Sequence, residues 1–230
     1  MTILGIDTAG RTMSVALLEE NMLVCEQTLA TGLTHSETLL PTIDSVLKAA
    51  GKTCADIDLF GVCAGPGSFT GLRIGLCAVK GLAFPANTPC AAVSTLEALA
   101  YSHIGQGTII AAQDARRGEV YWAAFRADTH ERLTPDDASP VEKIRVLAES
   151  CPKPLMFVGD GAYLCEQAFA DMPGVLVCPP ALRVGRAAGV CLAAQAMAAR
   201  GETCVPAALL PSYHRLSQAE RERAERLQKG

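Results

Sequence analysis

Residues 65–75, Gly65-Pro66-Gly67-Ser68-Phe69-Thr70-Gly71-Leu72-Arg73-Ile74-Gly75, are the stretch whose residue types and spacing most suggest chemistry. Glycines between an apolar strand and a helix let backbone N–H groups approach an anion at the helix N-terminus, as in a phosphate loop. The details do not fit. A Walker A loop needs Lys and then Ser or Thr after its second glycine. Gly71 is followed by Leu72 and Arg73, so both the phosphate-bridging lysine and the magnesium-binding hydroxyl are missing. The dinucleotide fingerprint fails at Thr70, which stands where a third glycine is required. Ser68 lacks the flanking glycines of a nucleophile elbow. The remaining reading is a tight strand-to-helix turn, in which Gly71 and Gly75, four apart, allow another helix to come close.

Other candidate groups are sparser. Asp7 and Thr8 end an apolar run, a position that suits a phosphate or magnesium contact as well as a turn. The following Ala9-Gly10-Arg11 lacks the hydroxyl-rich character of a working phosphate loop. The histidines, His35, His103, His130 and His214, are far apart, and Leu39 stands four residues after His35, so no helical pair of imidazoles is available to a metal. His35 reads instead as a residue of a helix start or an interface. The cysteines show no C-x-x-C spacing and read as reduced, small hydrophobes. Asp114, Arg116 and Arg117 read as a charged turn between two strands, with no role assigned.

Periodicity supplies the elements that position these groups. Residues 3–7, 13–18 and 22–29 read as three antiparallel strands. Thr34-His35-Ser36-Glu37 is a capping box that opens a helix ending before Gly51. A buried strand over 57–64 and a helix over 70–84 complete a β-β-β-α-β-α order, followed by a strand at 90–93 and a capped helix through Ala100. Gly105-Gln106-Gly107 then breaks the pattern. Strands at 108–113, 119–126 and 155–159, helices at 141–149 and 162–170, and an Ala-rich helix at 184–199 follow. The expectation is two α/β lobes, 1–104 and 105–230, each a mixed sheet with helices. The tail, 217–230, reads as a solvated helix.

The chain has 230 residues, with 24 Asp and Glu against 20 Lys and Arg for a net charge of −4. It is 50% hydrophobic and 19% charged, which excludes a disordered chain. The acidic balance argues against nucleic-acid binding through a broad basic face of its own. Asp7 arrives before any signal-peptide apolar region, and no stretch approaches the roughly 20 apolar residues of a membrane span, so a cytoplasmic protein is expected.

Several segments together carry a resemblance. Ile3-Leu4-Gly5-Ile6-Asp7-Thr8, Thr34-His35-Ser36-Glu37 with Leu39-Leu40-Pro41, residues 65–75, Asp114-Ala115-Arg116-Arg117-Gly118-Glu119-Val120-Tyr121 and Leu210-Pro211-Ser212-Tyr213 resemble the TsaB (YeaZ) family of bacterial tRNA threonylcarbamoyladenosine biosynthesis proteins. The resemblance implies the two-lobed actin/sugar kinase/Hsp70-like (ribonuclease H-like) fold. It implies a non-catalytic scaffold that works with TsaD and TsaE to move the threonylcarbamoyl group from threonylcarbamoyl-AMP to N6 of the adenosine 3′-adjacent to the anticodon, in tRNAs reading codons that begin with A. Further implications are a heterodimer with TsaD, tRNA contact through the complex, a possible homodimer when alone, and no cofactor of its own, with ATP and metal in the partner subunits. Asp7 and Thr8 then mark a degenerate nucleotide pocket. The partner interface falls on two first-lobe helices, at His35, Leu39, Leu40, Ile43, Phe69, Thr70, Leu72, Arg73, Ile74 and Leu76. The alternative is an ATP-dependent phosphotransferase of the same superfamily, suggested by fold and Asp7 alone.

Overall fold

The computed structural model describes residues 1–214; the expected tail helix at 217–230 lies outside the described residues. The first sheet is built from β1 (Thr2–Asp7), β2 (Met13–Glu19), β3 (Met22–Leu29), β4 (Leu59–Gly65) and β5 (Cys90–Ser94), in the order β3-β2-β1-β4-β5. β1 is antiparallel to β2 and parallel to β4, so the sheet is mixed. The second contains β6 (Thr108–Arg116), β7 (Glu119–Arg126), β8 (Asp137–Pro140), β9 (Leu155–Val158) and β10 (Val175–Val177), in the order β10-β9-β6-β7-β8. Numbered within each sheet, both follow one topology, 3-2-1-4-5.

Helices α1 (His35–Ala49) and α2 (Phe69–Ala83) cover one face of the first sheet. Each sets an apolar stripe on the core at helical spacing, with Leu39, Ile43 and Val46 from α1 and Leu76 and Val79 from α2 meeting Leu4, Ile6, Val15, Phe60 and Val62. Thr34 and Glu37 form the expected capping box at the start of α1. In the second lobe, α4 (Val141–Ser150) and α5 (Ala162–Ala168) occupy the corresponding face, with Ile144, Cys165 and Phe169 packed on Ile110, Val120 and Phe157.

The two remaining helices, α3 (Thr95–Tyr101) and α6 (Ala187–Ala199), pack on each other between the sheets. Leu96 and Leu99 of α3 join the core beneath the second sheet. α6, although it comes from the C-terminal half, lies against β1, β2 and β4 of the first. The lobes therefore do not follow a division of the chain into 1–104 and 105–230, because each sheet closes one face with a helix from the other half. Backbone proximity explains the alanines of α6. A Cβ on Gly5 of β1 would lie 2.6 Å from the Ala187 carbonyl oxygen, so only small side chains fit where helix and strand touch. β8 and β10 were not among the expected strands; each is short, and β8 is a polar edge strand ending in Pro140.

Candidate functional site: the α1/α2 face and the cleft behind it

The turn between β1 and β2 sits where the glycine-rich segment closes over it. Asp7 is 4% exposed, and its Oδ1 accepts the Ala9 amide at 2.9 Å, a local turn bond. Burial pushes the Asp7 carboxyl above its ordinary value. Thr8 is fully buried, and its hydroxyl donates to the Gly71 carbonyl at 2.8 Å. The Ser68 amide donates to the Ala9 carbonyl at 2.7 Å. A Cβ on Gly71 would stand 2.1 Å from the Thr8 carbonyl oxygen, and one on Gly75 2.4 Å from the Thr8 hydroxyl. The glycines thus admit the β1–β2 turn rather than a neighbouring helix, which corrects the expectation. Thr8 is likewise spent on α2 and presents no hydroxyl to a cleft. The segment has the composition of an anion loop but uses the space, and the Ser68 amide, on its own chain.

The same segment receives the end of the described chain. The Ser212 amide donates to the Ala64 carbonyl at 2.7 Å. The Tyr213 ring stacks on Phe69 with centroids 4.3 Å apart. The Arg73 guanidinium lies 4.0 Å over Phe69, and its Nε donates to the Tyr213 hydroxyl at 2.9 Å. The Leu210-Pro211-Ser212-Tyr213 motif thus lies against α2, a placement that local sequence does not indicate beyond an aromatic shortly after a proline.

The expected interface residues divide into two groups. Leu39 (1% exposed), Ile43 (3%), Leu72 (0%) and Leu76 (3%) belong to the monomer's core, which removes them from an interface. Periodicity located the apolar stripe without saying that the sheet already covers it. The residues that remain accessible are Leu40, 57% exposed, and Thr70 and Arg73, also exposed, with His35, Phe69 and Ile74 half-buried beside them. α1 and α2 are neighbours, so these side chains form one continuous face. His35 Nε2 lies 3.0 Å from the Gly10 carbonyl oxygen and ties the start of α1 to the β1–β2 turn.

Behind this face a cleft of about 760 Å³ is lined by His35, Ser68 and Phe69 from the first lobe and by Asp114, Arg116 and Asp160 from the second. In the β6–β7 turn the Arg116 amide donates to Asp114 Oδ1 at 2.6 Å, the bond that the Ala9 amide makes to Asp7. Arg116 and Arg117 both hold positive φ, at 64° and 59°, so they form the tip of a tight hairpin. Asp160 Oδ1 accepts the Asp114 amide at 3.0 Å. Burial, reinforced by the charges of Asp114 and Asp7, pushes the Asp160 carboxyl up to about 6. The structure brings two other histidines together: His130 Nε2 lies 2.7 Å from the His103 carbonyl oxygen, on the second lobe and away from His35. Among the described residues, no group of three or more His, Cys, Asp and Glu is placed to hold a metal ion. No helix among them is long and apolar enough to cross a membrane.

A family model described as TsaD, tRNA N6-adenosine threonylcarbamoyltransferase, matches residues 30–222. The tRNA threonylcarbamoyladenosine biosynthesis protein TsaB of Bacillus subtilis (strain 168) is 34% identical over 178 residues, covering 76% of this chain and 77% of that protein. TsaB of Escherichia coli (strain K12) is 36% identical over 152 residues, 65% of each chain. The solved structure of YeaZ from Pseudomonas aeruginosa aligns with a TM-score of 0.78 at 31% identity, covering 92% of this chain and 99% of that one.

Proposed function

Because this chain belongs to the TsaB (YeaZ) family of tRNA threonylcarbamoyladenosine biosynthesis proteins, we propose that it acts there as a non-catalytic scaffold subunit. It pairs with TsaD and works with TsaE while the threonylcarbamoyl group passes from threonylcarbamoyl-AMP to N6 of the adenosine beside the anticodon. TsaD carries the reacting groups, ATP and metal belong to the partner subunits, and tRNA is held by the assembly rather than by this chain alone.

The observation that carries this reading is the face of α1 and α2, where Leu40, Thr70 and Arg73 stand exposed beside Phe69 and Ile74. Burying an exposed leucine contributes on the order of 1.5–3 kcal/mol. Arginine is among the residue types enriched where interface energy concentrates, and Arg73 lies 4.0 Å over the Phe69 ring. In the absence of TsaD we propose that the same face pairs with a second copy of this chain about a two-fold axis. Asp7, enclosed and engaged with its own turn, is the wrong starting point for phosphoryl transfer.

Reconstitution with purified TsaD, TsaE, threonylcarbamoyl-AMP, ATP and an unmodified tRNA tests the proposal. Transfer is expected with all three proteins and absent with this chain alone. Transfer by this chain unaided, or full transfer when it is omitted, would overturn it.

A further inference from the structure

A second cavity, of about 310 Å³, meets the cleft at Gly10, Arg11, Gln113 and Asp160 and runs inward to Asp7. It lies within the size range of small-molecule sites. One side-chain atom of a residue that lines it, Gln113 Oε1, is buried without a hydrogen-bond partner, in a residue 6% exposed, while the Thr95 side chain, also on the wall, engages the Cys63 thiol. An amide oxygen buried alone is costly, and its missing partner is a donor. The buried Asp7 carboxylate and Asp160 add further acceptors to the same walls.

Two cations border this acceptor-rich interior. Arg183 is already committed, its guanidinium donating to Glu166 and to the Cys178 carbonyl. Arg11 is exposed, stands where the two cavities join, and among the described residues takes part in no ion pair within 4.0 Å, although its charge reaches Asp160. Leu99 and Val184 supply apolar wall. The interior therefore calls for a positively charged donor and the rim for an anion, with room for a short carbon chain between them. A phosphate-rich ligand would set its charges against Asp7 and Asp160, and a bare cation would meet the charge of Arg11 at the rim with no anion of its own to offer it.

We propose that this cavity binds a small α-amino acid as its zwitterion. The ammonium group lies toward Gln113 Oε1 and the carboxylates of Asp7 and Asp160, the carboxylate toward Arg11, and the side chain against Leu99 and Val184. This site is separate from the α1/α2 face and does not rest on the partner reading.

Isothermal titration calorimetry of the full chain with L-serine, L-threonine and L-valine in turn tests it, with ethylamine, propionate and magnesium–ATP as comparison ligands. At least one amino acid is expected to saturate the protein, with ethylamine and propionate weaker by about 10-fold or more, since each keeps only one of the two charged contacts. R11Q, at an exposed position that leaves the fold intact, weakens the amino acid by about 10-fold and leaves ethylamine unchanged. Q113L, checked for an unchanged circular dichroism spectrum, weakens both. No saturation by any of the three amino acids up to about 20 mM, a single-charge analogue binding as tightly, or binding of magnesium–ATP alone with the same sensitivity to R11Q would overturn the proposal.

Discussion

The two lobes share one strand order and one hairpin device, an aspartate near the end of the first strand whose Oδ1 accepts the amide two residues on, yet they use it differently. In the first lobe Asp7 is buried, at the inner end of the second cavity. Gly185 lies directly over its Oδ2, where a Cβ would come within 2.2 Å, and the turn that follows is gripped by Gly67, Gly71 and Gly75. In the second lobe Asp114 is half-buried, Arg116 and Arg117 are exposed, and the hairpin borders a cleft. The helices differ in the same sense: α1 and α2 have 15 residues each, whereas α4 has 10 and α5 has 7. A long amphipathic helix covers the sheet with one stripe and still has an outer face. The first lobe thus carries exposed side chains on an outer helical face, while the second carries an exposed hairpin at the cleft.

The largest effect that could break this contrast comes from Gly71→Val. Its Cβ meets the Thr8 carbonyl at 2.1 Å, backbone against backbone, so urea unfolding should show a loss of about 3–5 kcal/mol. Gly161→Ala is the second-lobe counterpart, with a nearest approach of 2.8 Å to Gln113, and should cost about 1–3 kcal/mol. Equal losses would mean that the first-lobe turn is held no more tightly than the second. Next, Leu72→Ala should cost about 2–5 kcal/mol because it opens a cavity in the core, whereas Leu40→Ala on the outer face should stay within about 0.5 kcal/mol.

Asp160 sharpens the contrast through pH. Its carboxyl titrates near 6 in the folded protein, raised by burial from 3.8, so the folded state holds a proton that the unfolded chain gives up. Its contribution is intact below pH 3.8 and is lost as pH rises through 6. Asp160→Asn keeps an acceptor for the Asp114 amide and removes that loss. It should therefore be more stable than the native chain by about 3 kcal/mol at pH 8, and no different at pH 3. Tyr213→Ala gives up the stack on Phe69 and should lower stability by about 1 kcal/mol. A larger loss would make the C-terminal segment part of the core rather than a covering of α2.

Sequence patterns showed most of the first lobe, because the β1–β3 alternation and the Thr34 capping box are local signals. The short strands of the second lobe were not legible. β8 is Asp-Ala-Ser-Pro, which carries no strand signature, and β10 has only 3 residues. Nor could local sequence show that α6 returns to the first sheet, although its alanines and Gly5 recorded the close approach. At the site, residues 65–75 stood out at once. What those glycines receive, the Thr8–Ala9 turn and Ser212, comes from positions too distant in sequence for spacing to link. The same holds for Leu39, Ile43, Leu72 and Leu76, whose stripe was visible but whose burial depended on the sheet beneath. Gln113, at the junction of the two cavities, carried no motif at all.

On the proposed function, the outer face of α1 and α2, rather than the buried Asp7, is the working part of the first lobe. Affinity for immobilised TsaD, measured for Leu40→Asp, Arg73→Glu and Asp7→Asn alongside the native chain, tests it most directly. The two face variants should bind at least about 10-fold more weakly while melting at the native temperature, and Asp7→Asn should bind as the native chain does. Native affinity in both face variants together with loss of TsaD binding in Asp7→Asn would place the partner contact at the β1–β2 turn instead.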